Sequence, residues 1–315
     1  MSAALHVLSL GAGVQSTTLA LMAAHGEFGP MPDLAIFADT GAEPAAVYEH
    51  LSWLQSGNVL PFPVEIVTKG NILDDTRANV AGLRKGRTAS APFFAPGKDG
   101  RAAPLRRQCT SECKIEPINR RIREHLGADK GERLAPGSRA VIWLGISTDE
   151  VYRVKPAFDW WQERRWPLIE RRLSRWDCHA WLTRHEYPIP PRSACIVCPY
   201  RSNAEWRRMQ QEAPAEFAEA IRFDEAIRPG FRDPASGRVR TGSFHLHRSL
   251  EPLADIDFAS EAAKAGQYDL FGEECEDYAA HNPPTPCQLF SLKYWIVRSI
   301  SIETAPIGWY DPNGA

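Results

Sequence analysis

The opening of the chain constrains its fold most. An apolar run over residues 5–10 leads into Ser9-Leu10-Gly11-Ala12-Gly13-Val14-Gln15-Ser16-Thr17, and apolar residues at helical spacing follow over 19–24. The pattern predicts a strand, a glycine turn and a helix. Gly11 and Gly13 allow a tight turn and a close approach of the backbone to a ligand. Ser16 and Thr17 fall where the helix begins. Their hydroxyls and the orphan N–H groups therefore face the turn and, with the helix dipole, favour an anion. A phosphate or sulfate is the expected ligand. The segment matches neither G-x-G-x-x-G, lacking a third glycine, nor G-x-x-x-x-G-K-[ST], lacking the lysine. A plain tight connection would use the same two glycines, so the turn alone does not decide the matter.

The rest of the first half repeats the alternation. Apolar runs at 34–38 and 63–68 predict strands, and residues 43–54 and 71–83 have helical spacing. A fourth strand is expected over 139–146, ending in Ser147-Thr148-Asp149-Glu150. Strands alternating with helices give an α/β fold, a Rossmann-like parallel sheet with helices on both faces. Such sheets bind ligands at the carboxyl ends of their strands. Residues 9–16 and Asp39-Thr40-Gly41 both fall there. Residues 113–126 and 174–185 read as helices, Ser202-Asn203-Ala204-Glu205 is a capping box opening a helix to about 211, and Pro214 opens another to about 228. A hairpin over 238–247 and a helix over 251–265 are expected beyond. The chain thus divides into a nucleotide-binding α/β region, residues 1–200, and a mainly helical or irregular region, 201–315.

Charge is unevenly spread. The 315 residues carry a net charge of −2, yet residues 84–123 hold eleven Lys or Arg against three acids. The middle of that stretch, 88–104, is rich in Ala, Pro and Gly and reads as a long loop, the kind that is functional or disordered. A polyanion such as DNA or RNA is its expected partner. No basic stretch with a long apolar run opens the chain, and no segment reaches membrane-spanning length, so a cytoplasmic protein with no membrane partner is expected.

The cysteines suggest a centre. Cys109-x3-Cys113 puts two thiols on one face of a helix start, and Cys195-x2-Cys198 bends two more onto one point. Four thiolates suit an iron–sulfur cluster or zinc. Pro190-Pro191 and Pro199 mark the second pair as lying in a loop, which speaks against simple core packing. Cys178, on an amphipathic helix, reads as core.

At this point the chain resembles a known family. Residues 9–16 are similar to the pyrophosphate-binding loop (PP-loop) of the adenine nucleotide alpha hydrolase superfamily, in the form carried by phosphoadenosine phosphosulfate (PAPS) reductase-like members. Asp39-Thr40-Gly41 matches their D-T-G. Arg107-x-Cys109-Thr110 with Lys114-Ile115-x-Pro117-Ile118 resembles the cysteine–lysine–proline segment of cluster-containing members. Gly145-Ile146-x-x-Asp149-Glu150-x-x-Arg153, Trp166-Pro167-Leu168-Ile169 and Ser193-x-Cys195-x-x-Cys198-Pro199 complete the set, in order, across residues 5–210. Ala12 stands where a glycine is common and Gln15 where many carry aspartate. The first cysteines are not adjacent, and Glu274-Cys275-Glu276 lacks the glycine of the family's E-C-G.

The resemblance implies the nucleotide alpha hydrolase type of sheet and an ATP pyrophosphatase-like sulfur transferase. ATP or PAPS would lie on Ser9, Gly11, Ala12, Gly13, Gln15, Ser16, Asp39, Thr40 and Gly145. Mg²⁺ would accompany it, with Asp39 holding the ion or the ribose. Lys114 and Arg153 would neutralise phosphate or sulfate. A [4Fe–4S] cluster, or zinc in its place, would be held by Cys109, Cys113, Cys195 and Cys198. The acceptor would be a nucleic acid, with a sulfur-donor protein as a further partner. Two alternatives stand beside it. One is a PAPS or adenosine phosphosulfate reductase with Cys275 as nucleophile; the other is a zinc-stabilised nucleotide-binding module without turnover.

Overall fold

A computed structural model describes residues 4–80, 91–105, 107–230 and 243–258. Five parallel strands form the sheet: β1 (Leu5–Leu10), β2 (Leu34–Asp39), β3 (Val64–Thr68), β6 (Ala140–Leu144) and β7 (Gln162–Arg165). Their order is β3-β2-β1-β6-β7. The chain builds outward from β1 in one direction, then returns to β1's other edge with β6. The crevice between β1 and β6 is therefore the topological switch point. A separate antiparallel pair, β4 (Phe94–Pro96) and β5 (Ala102–Pro104), lies in the stretch expected to be a loop.

Alternation along the strands builds two cores. Leu8, Leu10, Ala35, Phe37, Val141 and Trp143 face one way. They meet α1 (Val14–Ala24), α2 (Ala45–Gln55) and α6 (Arg175–Arg184) through Leu19, Val47, Leu51 and Leu182. Val7, Leu34, Ile36, Ala140 and Ile142 face the other way and meet Ile118 and Ile122 of α4 (Glu116–His125). Side chains alternate at each residue of a strand, so an apolar run buried on both faces is what a central parallel strand requires.

Two further segments matter below. Helices α3 (Ile72–Val80), α5 (Pro167–Glu170), α7 (Asn203–Glu212) and α8 (Pro214–Ile227) complete the helical set. The described residues fall into two compact units, one of 4–199 with 209–256 and the other of 200–208 with 257–258. Helix α8 thus belongs to the unit that holds the sheet, although the sequence groups it with the C-terminal region. Residues 251–257 contain a single 3₁₀ turn, Leu253–Asp255, where a helix is expected. Pro252 and the short Leu-Ala-Asp run cannot sustain more. The expected hairpin falls mostly outside the described residues, and within them His245 bridges Phe94. Among the described residues, no helix is long and apolar enough to cross a membrane.

Beneath α1 lies a buried histidine. His50 of α2 is 7% exposed, and its Nε2 pairs with Thr17 Oγ1 at 3.0 Å. Burial pushes its pKa down from 6.5 to about 4. The unfolded chain takes up that proton near pH 6.5, whereas the native state resists it. Stability is therefore complete above pH 6.5 and falls as pH drops toward 4, by up to about 3 kcal/mol. Urea unfolding of wild type and His50→Gln across this window checks it. The wild type should lose more stability than the variant on acidification, and parallel curves would refute the assignment.

Candidate functional site

The β1–α1 turn forms the floor of the site. Ala12 takes φ of +55°, a left-handed conformation that explains why glycine suits this position elsewhere. Ser16 Oγ accepts from the N–H groups of Gly11 at 3.1 Å and Gly13 at 3.3 Å, and donates to Gly13 O at 3.2 Å. The hydroxyl thus braces the loop from within. The amides it collects are those an anion would use.

Two other segments close on this turn. Gly145, just past β6, passes so near that a Cβ there would sit 2.8 Å from Ser16 Cα and 2.9 Å from Ser16 N. Only glycine permits this approach across the switch point. Gln15 Nε2 donates to Glu150 Oε2 at 3.3 Å and to Ser147 Oγ at 3.4 Å, and Arg153 donates to Glu150 Oε1 at 2.6 Å. Gln15 can make this link because it is a donor; an aspartate there would repel Glu150. From the third side comes the loop carrying the second cysteine pair. A Cβ on Gly13 would lie 3.5 Å from Ser193 Cβ.

Past β2, Asp39 Oδ1 accepts from Gly41 N–H at 2.7 Å and Tyr48 O–H at 2.8 Å. Burial and the neighbouring carboxylate push the Tyr48 phenol up, so it stays a donor. Gly41 has φ of +70° and packs on Asn71, whose amide donates to Gly41 O at 2.8 Å while its Oδ1 caps α3. Thr40 turns away from the loop: its hydroxyl donates to Glu43 Oε1 at 3.2 Å and lies 3.1 Å from Cys195 Sγ.

The cysteines fall into two neighbourhoods joined by Lys114. Cys109 and Cys113 flank a π-helix, Thr110–Ile115, a form often found at functional sites. Cys195 and Cys198 share a turn, with Cys198 N–H donating to Cys195 O at 2.9 Å. The Lys114 ammonium is within electrostatic reach of both Cys195 and Cys109. Burial first, then Glu43, pushes the Cys195 thiol up to about 12, while Lys114 and the Thr40 hydroxyl act the other way. Burial, with Cys109, pushes Cys113 up to about 11. Cys178 is fully buried in the core below α1, as its helix suggests. In number, type and charge the four thiols and their lysine suit a thiolate-bound centre. Among the described residues, no three Cys, His, Asp or Glu side chains are gathered round one point.

Glu43 is absent from the sequence reading as a site residue, where it is merely the first residue of a helix. The basic stretch is also quieter than its formula. Arg121 pairs with Glu65 and Glu124, Arg120 with Glu116, Arg101 with Asp99 and Lys114 with Glu43. Arg84, Lys85, Arg87 and Arg106 lie outside the described residues, as do Cys275 and Cys287.

Fold and site together define a Rossmann-like α/β protein with a glycine loop at its switch point and paired cysteines at the same edge. No family model matches the chain. No curated protein matches it. Among solved structures it is similar to a phosphoadenylyl-sulfate (PAPS) reductase from Candida auris, determined as a phosphate complex. The two are 12% identical with a TM-score of 0.35, over 60% of this chain and 76% of that one.

Proposed function

We propose that this chain is an adenine-nucleotide-dependent sulfur-transfer enzyme of the PP-loop, PAPS reductase-like kind, bearing a thiolate-held centre. The observation that carries the reading is the meeting of three segments at the switch point. The glycine loop, Gly145 and the Ser193–Cys198 loop all close on the first turn of α1. The amides of Gly11 and Gly13 and the start of α1 would take the phosphates of ATP. Asp39, its carboxylate held by Gly41 and Tyr48, would hold Mg²⁺ or the ribose. Cys109, Cys113, Cys195 and Cys198 would hold a [4Fe–4S] cluster, with zinc as the alternative. Such a centre supplies a Lewis-acidic or electron-rich site for sulfur when bound.

In the chemistry we propose, an acceptor oxygen attacks the α-phosphorus of ATP and pyrophosphate leaves. Sulfur then attacks the adenylated carbon or phosphorus, and AMP departs with the original oxygen. Arg153, held by Glu150, neutralises charge on the departing phosphates. Nucleic acid is the proposed acceptor class and a persulfide-bearing protein the proposed donor. The cytoplasm is the proposed setting.

The test is calorimetry with ATP on wild type and Ser16→Ala, together with iron and zinc content and the visible spectrum after anaerobic purification. Loss of the hydroxyl removes both the brace of the loop and a donor to a charged oxygen. The expected cost is about 1.5–3 kcal/mol of binding. Equal affinity in a folded variant overturns the loop assignment, and wild type that holds neither metal overturns the centre.

A further inference from the structure

We propose that Glu43 is a positioning residue that holds the Lys114 ammonium against the sulfurs of Cys109 and Cys195 and so sets the charge felt by the centre they would carry. The inference rests on the reading above that these thiols hold a metal or cluster, and it deepens that reading.

Glu43 sits in the link between β2 and α2 and is 4% exposed, its side chain wholly enclosed. A carboxylate so placed needs a cation or a dense set of donors. Oε1 has them: Lys114 Nζ at 3.0 Å, Thr40 O–H at 3.2 Å and the Cys195 thiol at 3.9 Å. Oε2 is buried with no hydrogen-bond partner. Half of the carboxylate is thus spent on one group of atoms, and that group consists of a lysine and its neighbours around a cysteine.

The placement of Lys114 gives the arrangement its meaning. It rides on the π-helical turn between Cys113 and α4, the segment that bears the first cysteine pair. Glu43 lies against Cys195 of the second pair. The ion pair therefore ties together the two segments that supply thiols, and it does so beside the sulfurs. Thr40 completes the link, touching both Glu43 and Cys195. An ammonium held next to thiolate sulfur stabilises electron density on it. Its carboxylate partner, slightly further off, offsets part of that effect. The pair thus acts as a fixed local charge balance on the centre.

A purely structural ion pair would affect stability and nothing else. A positioning role predicts a sign pattern. Glu43→Gln leaves the Lys114 charge uncompensated and raises the midpoint potential of an iron–sulfur centre. Lys114→Met leaves the carboxylate uncompensated and lowers it. The double variant returns toward wild type, and Glu43→Asp, which keeps the charge, stays close to it. If the metal is zinc, cobalt replaces it and the sulfur-to-cobalt charge-transfer band is read instead. That band moves to the blue in Glu43→Gln and to the red in Lys114→Met.

The experiment is anaerobic spectroelectrochemistry, or absorbance after cobalt substitution, on the full chain. Either single variant suffices should the other fail to fold, because each must move in its own direction. Opposite shifts that cancel in the double variant support the proposal. Shifts in the same direction, or none in a chain that loads its metal, overturn the role of Glu43 and leave the proposed function standing. Wild type that loads neither iron nor zinc overturns both.

Discussion

Asp224→Ala is expected to lower the unfolding free energy by about 3–5 kcal/mol, a large share of a domain's stability. Asp224 lies on α8 and is fully buried. Its Oδ1 accepts from Leu246 N–H at 2.8 Å, and its Oδ2 accepts from Leu253 N–H at 3.1 Å and from Arg228 at 2.6 Å. Leu246 and Leu253 are themselves fully buried, so neither amide can turn to water. One carboxylate thus pins a length of chain with almost no regular structure onto a helix. Alanine strands two buried donors and leaves Arg228 without its anion. Asparagine keeps the shape but loses the charge and presents a donor to a donor, so it should fall between. Urea unfolding gives the magnitude, and hydrogen exchange gives the location: the Leu246 and Leu253 amides should lose protection first. A loss below about 1 kcal/mol, or unchanged exchange at those amides, would show that the segment is held by its apolar contacts instead.

What the sequence discloses follows from how local each signal is. β1, β2, β3 and β6 are legible because central parallel strands must be apolar on both faces, and a run of such residues has few other uses. β7 escapes because Gln162-Glu163-Arg164-Arg165 has no apolar residue at all. As an edge strand it needs only one partner, and it is held by pairing to β6 and by the Arg165 guanidinium lying 4.5 Å above the Trp143 ring. The β4–β5 pair escapes for a different reason. Its Ala, Pro and Gly residues look like loop, and Phe94 finds its bridge to His245 only after the chain has travelled past the whole sheet.

The site divides the same way. Gly11, Gly13 and Gly145 announce themselves, since glycine before a helix or after a strand is a statement about space. The cysteine pairs are legible from spacing. Glu43 is not, because an acid at the start of a helix is ordinary; its partners Lys114 and Cys195 come from other elements, and only the folded chain sets them around it. The basic stretch errs in the opposite direction. Its charges are visible in the sequence, but the acids that answer Arg121 and Lys114 come from Glu65 and Glu43, outside the stretch.

Gly145→Ala should damage stability and ligand binding together. Its new Cβ would lie 2.8 Å from Ser16 Cα, 2.9 Å from Ser16 N and 3.2 Å from Gln15 C. All three are backbone atoms, so no side chain can swing aside. The first turn of α1 must move away from β6, or the end of β6 must bend. Overpacking of this kind costs about 1–3 kcal/mol. The movement also acts on the residue that braces the loop, because Ser16 Oγ holds the Gly11 and Gly13 amides. Gln15 would lose its reach to Glu150, and Arg153 would lose part of its anchor. ATP affinity should therefore fall by at least ~10-fold, a penalty of about 1.4 kcal/mol on top of the lost stability. Gly57→Ala is the control, since nothing lies within 4 Å of a Cβ there. Melting curves and calorimetry on the two variants separate the effects. If Gly145→Ala melts and binds as Gly57→Ala does, α1 can slide on the sheet without cost, and the close approach at the switch point is not what shapes the loop. If it melts early but binds ATP unchanged, the nucleotide lies elsewhere on the sheet edge and the loop serves only to join β1 to α1.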